Sequence, residues 1–394
     1  MALLQLPAAL CADDGTAGTS LLDESRELAG RVAWPTTAAR DDERRWDAAL
    51  FTRLADARHG GGLMGPLVPR TLGGRGLSAA DTCALLEGLA EGSRDPGLAL
   101  AVTVHAVLVT VPLRAFGTPA QRERYLPRMA SGEWFGALSL HQTQGASVAP
   151  AVTARRSTSG QDGWVLSGEL DLVAGAPHAH HFLVVAAHEN GGRTAFVVDR
   201  TTPGLLLHDG APAAMRTCPW GRLVLDDCPV PGDAVLGTVG EASAEVEPLL
   251  AVLDWVFTSA PWLGIMRALA RDAIGASRDR SLFGRPLAHS QSTRFALADL
   301  ATRSELAEGL LRRTAGLFDA GGRPTLPQAA AARLFVASSA RAVTEAAARL
   351  TGPLTPTGDR LAERAFRDAL FFSEAGGGPA VLHPVIAAHL LGIG

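Results

Sequence analysis

The chain has 394 residues, more than one hydrophobic core usually supports, which implies two or three domains. Apolar residues make up 47% and charged residues 19%, and the net charge of −4 is scattered along the chain, so the composition is that of a packed globular protein without the basic stripe of a nucleic-acid binder. All 36 basic residues are Arg. The four cysteines, Cys11, Cys83, Cys218 and Cys228, form no CxxC pair, which argues against a zinc site or a disulfide framework and fits a reducing compartment.

The opening MALLQLPAALCADD has no basic residue before its apolar stretch and reads as the lead-in to a first helix. Residues 1–136 are predicted to form a helical domain: Ser20 to Ala29 and Ala79 to Ala90 each place apolar groups three and four apart, giving one apolar face per helix. The cluster Gly73-Gly-Arg-Gly punctuates them as a turn.

The texture changes near residue 137. Short β-rich runs begin at Gly163, His181, Thr194 and Gly221 and are bounded by Gly, Asp, Asn and Pro. Residues 137–243 are therefore predicted to form an antiparallel, barrel-like β-domain. From 244 to 394 long Ala- and Leu-rich stretches return, broken at Phe283-Gly-Arg-Pro, Ala320-Gly-Gly-Arg-Pro and Thr351-Gly-Pro, and predict a four-helix bundle. No stretch approaches 18 uninterrupted apolar residues, so neither a membrane span nor a location outside the cytoplasm is expected.

Several segments, in this order and spacing, resemble those of acyl-CoA dehydrogenases. Phe116-Gly-Thr-Pro-Ala-Gln-Arg-Glu-Arg-Tyr-Leu-Pro is similar to the segment that ends the first domain of that family, and Leu223-Val-Leu-Asp-Asp-Cys-Pro-Val-Pro to its exit from the β-domain. Arg280-Ser-Leu-Phe-Gly-Arg-Pro-Leu, followed by Ser290-Gln291, resembles the family's helix junction in the bundle. The likeness runs from about residue 20 to the C-terminus. It implies the α+β arrangement of an N-terminal helical domain, a middle β-domain and a C-terminal four-helix bundle. It also implies FAD as cofactor and an acyl thioester as substrate, carried on CoA or an acyl-carrier protein.

Such chemistry needs a base for the acidified α-proton, a flavin held by donors, and an apolar slot for the acyl group. The resemblance gives Arg280 to the cofactor's diphosphate, with Phe283 and Gln291 beside the same group across a subunit interface. A homodimer or homotetramer is thereby expected. Gly352 retains half of the Gly-Gly pair through which the backbone approaches the diphosphate, and Gly145 and Ser147 can form a donor-rich turn. Other positions depart from the pattern. The family's Leu-Thr-Glu-Pro-Gly-Ala-Gly-Ser-Asp is here Leu140-His-Gln-Thr-Gln-Gly-Ala-Ser-Val, and its Trp-Ile-Thr is Leu172-Val-Ala. The catalytic Glu of the C-terminal signature falls on Gly376, which cannot take a proton.

Two carboxylates are candidates for that work. Glu374 lies two residues earlier and would serve if its loop were shifted. Asp254 lies on the first long bundle helix, where some members of the family carry the base; counted from the Leu253-Asp254 pair it is instead a substrate-contacting or capping aspartate. The run Gly376-Gly-Gly suggests an open or mobile loop, so Glu374 is expected to point away from the site and Asp254 to approach it. Trp255 and Trp262, seven apart, would share a helical face as core or as slot wall. His178, His180 and His181 lie together but lack a carboxylate to complete a metal site, and read as a solvated loop. Beside the dehydrogenase reading stand a redox-neutral elimination or cyclisation enzyme and a non-catalytic subunit of a hetero-oligomer.

Overall fold

A computed structural model describes residues 16–393 apart from 57–61, 146–148, 158–161, 190, 323–324 and 353–359. The expectations for the opening segment, with Cys11, and for Ser147 fall outside the described residues.

The N-terminal helices are α1 (Thr16–Val32), α2 (Trp34–Asp42), α3 (Ala48–Ala55), α4 (Ala79–Ser93), α5 (Pro96–Thr103), α6 (Thr110–Phe116) and α7 (Pro119–Ala130), with a π-helical turn, Val104–Val109, joining α5 to α6. Their starts are written in the sequence. Ser78 accepts from Asp81 N at the head of α4, and Asp95 accepts from Leu98 N ahead of Pro96 in α5. Thr118 and Gln121 close a capping box on α7. Gln121 Nε2 also donates to Asp233 O and Val235 O, at 2.8 and 2.9 Å, and so ties this helix to the next domain.

The strands are β1 (Gly136–Ser139), β2 (Val152–Arg156), β3 (Gly163–Ala174), β4 (His181–His188), β5 (Arg193–Asp199), β6 (Leu205–Asp209), β7 (Trp220–Pro231) and β8 (Val235–Leu236). Along β4 the side chains alternate between two cores: Phe182, Val184 and Ala186 enter the sheet's own core, whereas Leu183 and Val185 join the core shared with the helices. Burial on both faces explains why the strand reads as one continuous apolar run.

The expectation of an antiparallel β-domain needs correcting in two ladders. β4 runs parallel to β1 and to β2. β1 and β2 lie end to end along one line of the sheet, both antiparallel to β3, so a strand on their far side parallel to one is parallel to both. Side-chain alternation encodes which face is buried and not strand direction, so the pattern could not reveal this. The sheet path runs β6-β7-β3-β1-β4-β5-β8, and among the described residues no ladder joins its ends into a barrel.

Between β1 and β2 the chain leaves the sheet. Gln142 fills the gap: its Nε2 donates to Leu183 O at 3.1 Å and its Oε1 accepts from Val185 N at 2.6 Å, as a neighbouring strand would. This excursion delivers Leu140 and Thr143 to the helices.

The bundle comprises α8 (Val246–Phe257), α9 (Ala260–Asp279), α10 (Gln291–Asp319), α11 (Leu326–Thr351), α12 (Leu361–Glu374) and α13 (Gly378–Leu391), with the hairpin β9 (Ser281–Leu282) and β10 (Arg285–Pro286) between α9 and α10. α8 and α9 follow one another almost without a break, and with α10, α11 and α12 they give the four rods of the bundle. Two helical stretches, Pro96–Phe116 and Val246–Asp279, are long and apolar enough to cross a membrane, but 94% and 100% of their apolar windows are buried inside the protein. Asp319 at the end of α10 accepts from Ala79 N and Ala80 N, at 2.6 and 2.9 Å, joining the bundle to the head of α4.

Candidate active site

Asp254 stands in the last turn of α8 among apolar neighbours and is 2% exposed. Its Oδ2 meets Thr143 Oγ1 at 2.7 Å and its Oδ1 meets Thr258 Oγ1 at 3.0 Å. Thr258, one turn further on, also receives Nη1 of Arg333 from α11 at 2.6 Å. Nη2 of the same guanidinium donates to Phe372 O and Ala375 O at the end of α12, at 2.8 and 2.9 Å. A narrow cavity of about 20 Å³ opens beside this group, with Asp254 and Arg333 in its wall among Leu100, Leu140, Met215 and Trp262.

Burial holds the Asp254 carboxyl above the ordinary carboxylate range, and Arg333, Thr143 and Thr258 pull against it. The hydrogen inventory accommodates both protonation states. Thr143 Oγ1 touches Leu140 O at 2.9 Å as well as Asp254, but has one hydrogen. When Asp254 is ionised, that hydrogen turns to the carboxylate. When Asp254 is protonated, its O–H donates to Thr143, whose hydrogen turns to Leu140 O.

Gly376 faces this carboxyl. Its φ is +70°, and a Cβ built on it would collide with Asp254 Oδ2. Gly376 and Gly377, in the turn after α12, and Gly378, the first residue of α13, are buried, and Trp255 Nε1 donates to Gly376 O at 2.9 Å. The expectation of an open or mobile loop is thus corrected: the three glycines, all at positive φ, make a tight turn held by Trp255 and, through Ala375, by Arg333. Glu374 ends α12 in an exposed position, with its carboxyl over Gly378 at the head of α13. It does not join the cluster, whereas Asp254 does.

The cofactor candidates divide. Arg280 and Gly352 meet within the chain: Arg280 Nη1 donates to Thr351 O at 2.8 Å and to Leu350 O at 3.3 Å, and a Cβ on Gly352 would lie 2.7 Å from Nη1. Phe283, at the tip of the β9–β10 hairpin, and Gln291, at the start of α10, are exposed and touch neither. Gly145 takes φ +74° close to Ala251 of α8. Leu172 and Ala174 lie at the end of β3, where Leu172 sits at φ +48° in a register shift of the β3–β7 ladder.

Among the histidines, His178 and His180 are exposed, but His181 is fully buried at the start of β4 and is not part of a solvated loop. His180 stacks on Trp134, with ring centroids 6.0 Å apart. No group of metal-ligating side chains assembles among the described residues. Trp262 stacks on Phe372 at 4.9 Å and packs in the core at 2% exposure, bordering the small cavity, while Trp255 holds the glycine turn.

Comparison with known proteins agrees with this architecture domain by domain. Models of the N-terminal, middle and C-terminal domains of acyl-CoA dehydrogenase match residues 18–133, 139–228 and 256–391. The short-chain specific acyl-CoA dehydrogenase of Bos taurus mitochondria is 30% identical over 373 residues, which is 93% of this chain and 88% of that protein. The chain belongs to the acyl-CoA dehydrogenase family. An L-prolyl-[peptidyl-carrier protein] dehydrogenase from Pseudomonas fluorescens is 28% identical over 336 residues, 84% of this chain and 87% of its own. The butyryl-CoA dehydrogenase structure from Megasphaera elsdenii superposes with a TM-score of 0.87 at 25% identity, over 96% of this chain and 99% of that one.

Within this acyl-CoA dehydrogenase fold, sequence reasoning found Asp254 but missed Thr143, Thr258 and Arg333. Thr258 had a usable signal, since it lies four residues after Asp254 and so on the same helical face. Arg333, a charge following Gln328 and four alanines on the buried side of α11, had another. Thr143 had none, because the turn that aims it depends on the chain leaving the sheet.

Proposed function

We propose that the protein is an FAD-dependent dehydrogenase of an acyl thioester borne by CoA or a carrier protein, with Asp254 as the base that takes the α-proton. One observation carries this reading: the Asp254 carboxyl occupies the space that a side chain at position 376 would enter. The resemblance puts the family's Glu at 376, on the turn after α12. Here the chain offers a carboxylate to the same space from α8, and glycine at 376 leaves room for it. A buried carboxyl with a raised pKa is a stronger base when ionised than one in water, and the Thr143 hydroxyl serves it in either state.

The residues available suit the cofactor. Arg280 is exposed, anchored on the last carbonyls of α11, and presents a fork that matches phosphate oxygens beside the bare Cα of Gly352. Leu172 and Ala174 offer the ring no side-chain hydrogen bond, so backbone donors serve that end. When bound, the flavin supplies the acceptor for the hydride from the β-carbon. The chain's own part is to accept the α-proton on Asp254, with Trp262 and Met215 excluding water; the cavity of about 20 Å³ beside the carboxyl has room for about one water, so it must widen to admit the acyl group. Exposed Leu282, Phe283 and Phe295 on the hairpin and α10 support a homo-oligomer whose neighbour covers them.

Bleaching of flavin absorbance on adding short acyl-CoA and acyl-pantetheine thioesters tests the reading. The FAD-loaded chain should bleach with at least one of them, and the Asp254→Asn variant should not. A chain that purifies colourless and takes up no added FAD would overturn the reading in favour of a non-catalytic subunit.

A further inference from the structure

Arg333 is a full cation at 3% exposure, carried on a helix whose preceding turn is Gln328 and four alanines. Removing a guanidinium from water is costly, and buried ion pairs are weak contributors to stability compared with apolar packing. Its retention there is explained by what its planar fork connects. One arm reaches Thr258, the other reaches Phe372 O and Ala375 O, and its plane lies over the Phe372 ring with Cζ 3.6 Å from the centroid.

We propose that Arg333 is the positioning residue of this site, holding the Asp254 carboxyl against Gly376 by bolting α8, through Thr258, to the last carbonyls of α12. This rests on the reading of Asp254 as the base. The last carbonyls of a helix have no partner of their own and carry its negative end, so a cation is the natural cap for α12. Ala375, which Arg333 grips, immediately precedes Gly376, which Trp255 grips from the other side. The two walls of the reaction space thus share one fastener.

The same cation works on the proton. Among the described residues Arg333 is the ionisable group that acts on Asp254. On α12, Asp368 is engaged by Met215 N and Arg367, and Glu374 is exposed; on the excursion between β1 and β2, His141 is exposed. Burial pushes Arg333 down to about 10, which leaves it charged at neutral pH. Its charge opposes the burial that keeps the proton on Asp254.

The test follows the Asp254 carboxyl by infrared pH titration of the purified protein, with the band assigned by its loss in Asp254→Asn. Arg333→Met should raise the titration midpoint by about one pH unit or more, about tenfold in proton affinity, as expected for losing a nearby opposite charge. Arg333→Lys keeps the charge without the fork; it should hold the midpoint within about half a pH unit while speeding amide exchange at Ala375–Gly378. Thr258→Val cuts the link and leaves Arg333 on the α12 carbonyls, so it decides the matter if Arg333→Met does not fold; its midpoint should also rise. Unmoved midpoints in the variants that fold would overturn the proposal. Exchange of the thioester α-proton, measured separately in Asp254→Asn, distinguishes the two claims. If it proceeds at the wild-type rate while the midpoints move as expected, the base reading falls and the fastener remains.

Discussion

Replacing Gly376 by alanine adds one methyl group, and the structure gives it two costs. At φ +70° a Cβ strains the backbone by about 1–2 kcal/mol. The methyl also runs into Asp254 Oδ2, which Thr143 holds in place, and forced overpacking of this kind costs about 1–3 kcal/mol. Gly376→Ala should therefore lose roughly 2–5 kcal/mol of stability, summing those two ranges. Only the second part depends on Asp254. In an Asp254→Ala background the collision disappears, and the same substitution should cost only the backbone strain. The assay is a double-mutant cycle on urea-unfolding midpoints at fixed protein and FAD concentration, restricted to variants that share one denaturant slope. A coupling of about 1–3 kcal/mol, with the double variant more stable than the two single changes predict, is the expected result. Additivity within about 0.5 kcal/mol would refute the claim that the carboxyl fills the space at 376.

Arg280→Ala should lower FAD occupancy of the purified protein, read from the ratio of flavin to protein absorbance; unchanged occupancy would remove Arg280 from the cofactor site. Light scattering at micromolar concentration should give at least a dimer, and Phe283→Ser together with Leu282→Ser should move it towards monomer. Burial pushes His105 down to about 4, and the ring is neutral in the fold, with Nδ1 accepting from Gly136 N and Nε2 against Met129 O. Below its ordinary value of 6.5 the unfolded chain takes up the proton first, so stability present above pH 6.5 is lost as pH falls towards 4, at about 1.4 kcal/mol for each pH step of one between those two values. His105→Gln should make the acid limb of the melting-temperature profile shallower, and an identical limb would contradict this.

Much of the fold was legible because its signals are local. The changes of apolar period near 137 and 244 and the Gly-rich breaks between helices are properties of neighbouring residues. The parallel ladders of β4 were not legible, since direction is set by how the excursion after β1 returns and not by side-chain alternation. At the site, the vacancy at 376 and the carboxyl at 254 could each be read from the chain. That they exclude one another in space could not, because 122 positions separate two residues that meet only when α8 packs against the turn after α12. For the same reason three glycines in a row suggested looseness, when Trp255 and Arg333, far away in sequence, make that turn one of the tightest parts of the site.

The central claim is that Asp254, and not Glu374, takes the α-proton. Deuterium uptake at the α-carbon of a short acyl thioester, followed by mass spectrometry in D2O with FAD-loaded protein, tests it directly. Asp254→Asn should slow exchange by about 10²–10⁴-fold, the usual worth of a positioned general base, while Glu374→Gln stays within about threefold of wild type. Exchange that survives in Asp254→Asn and disappears in Glu374→Gln would contradict the account.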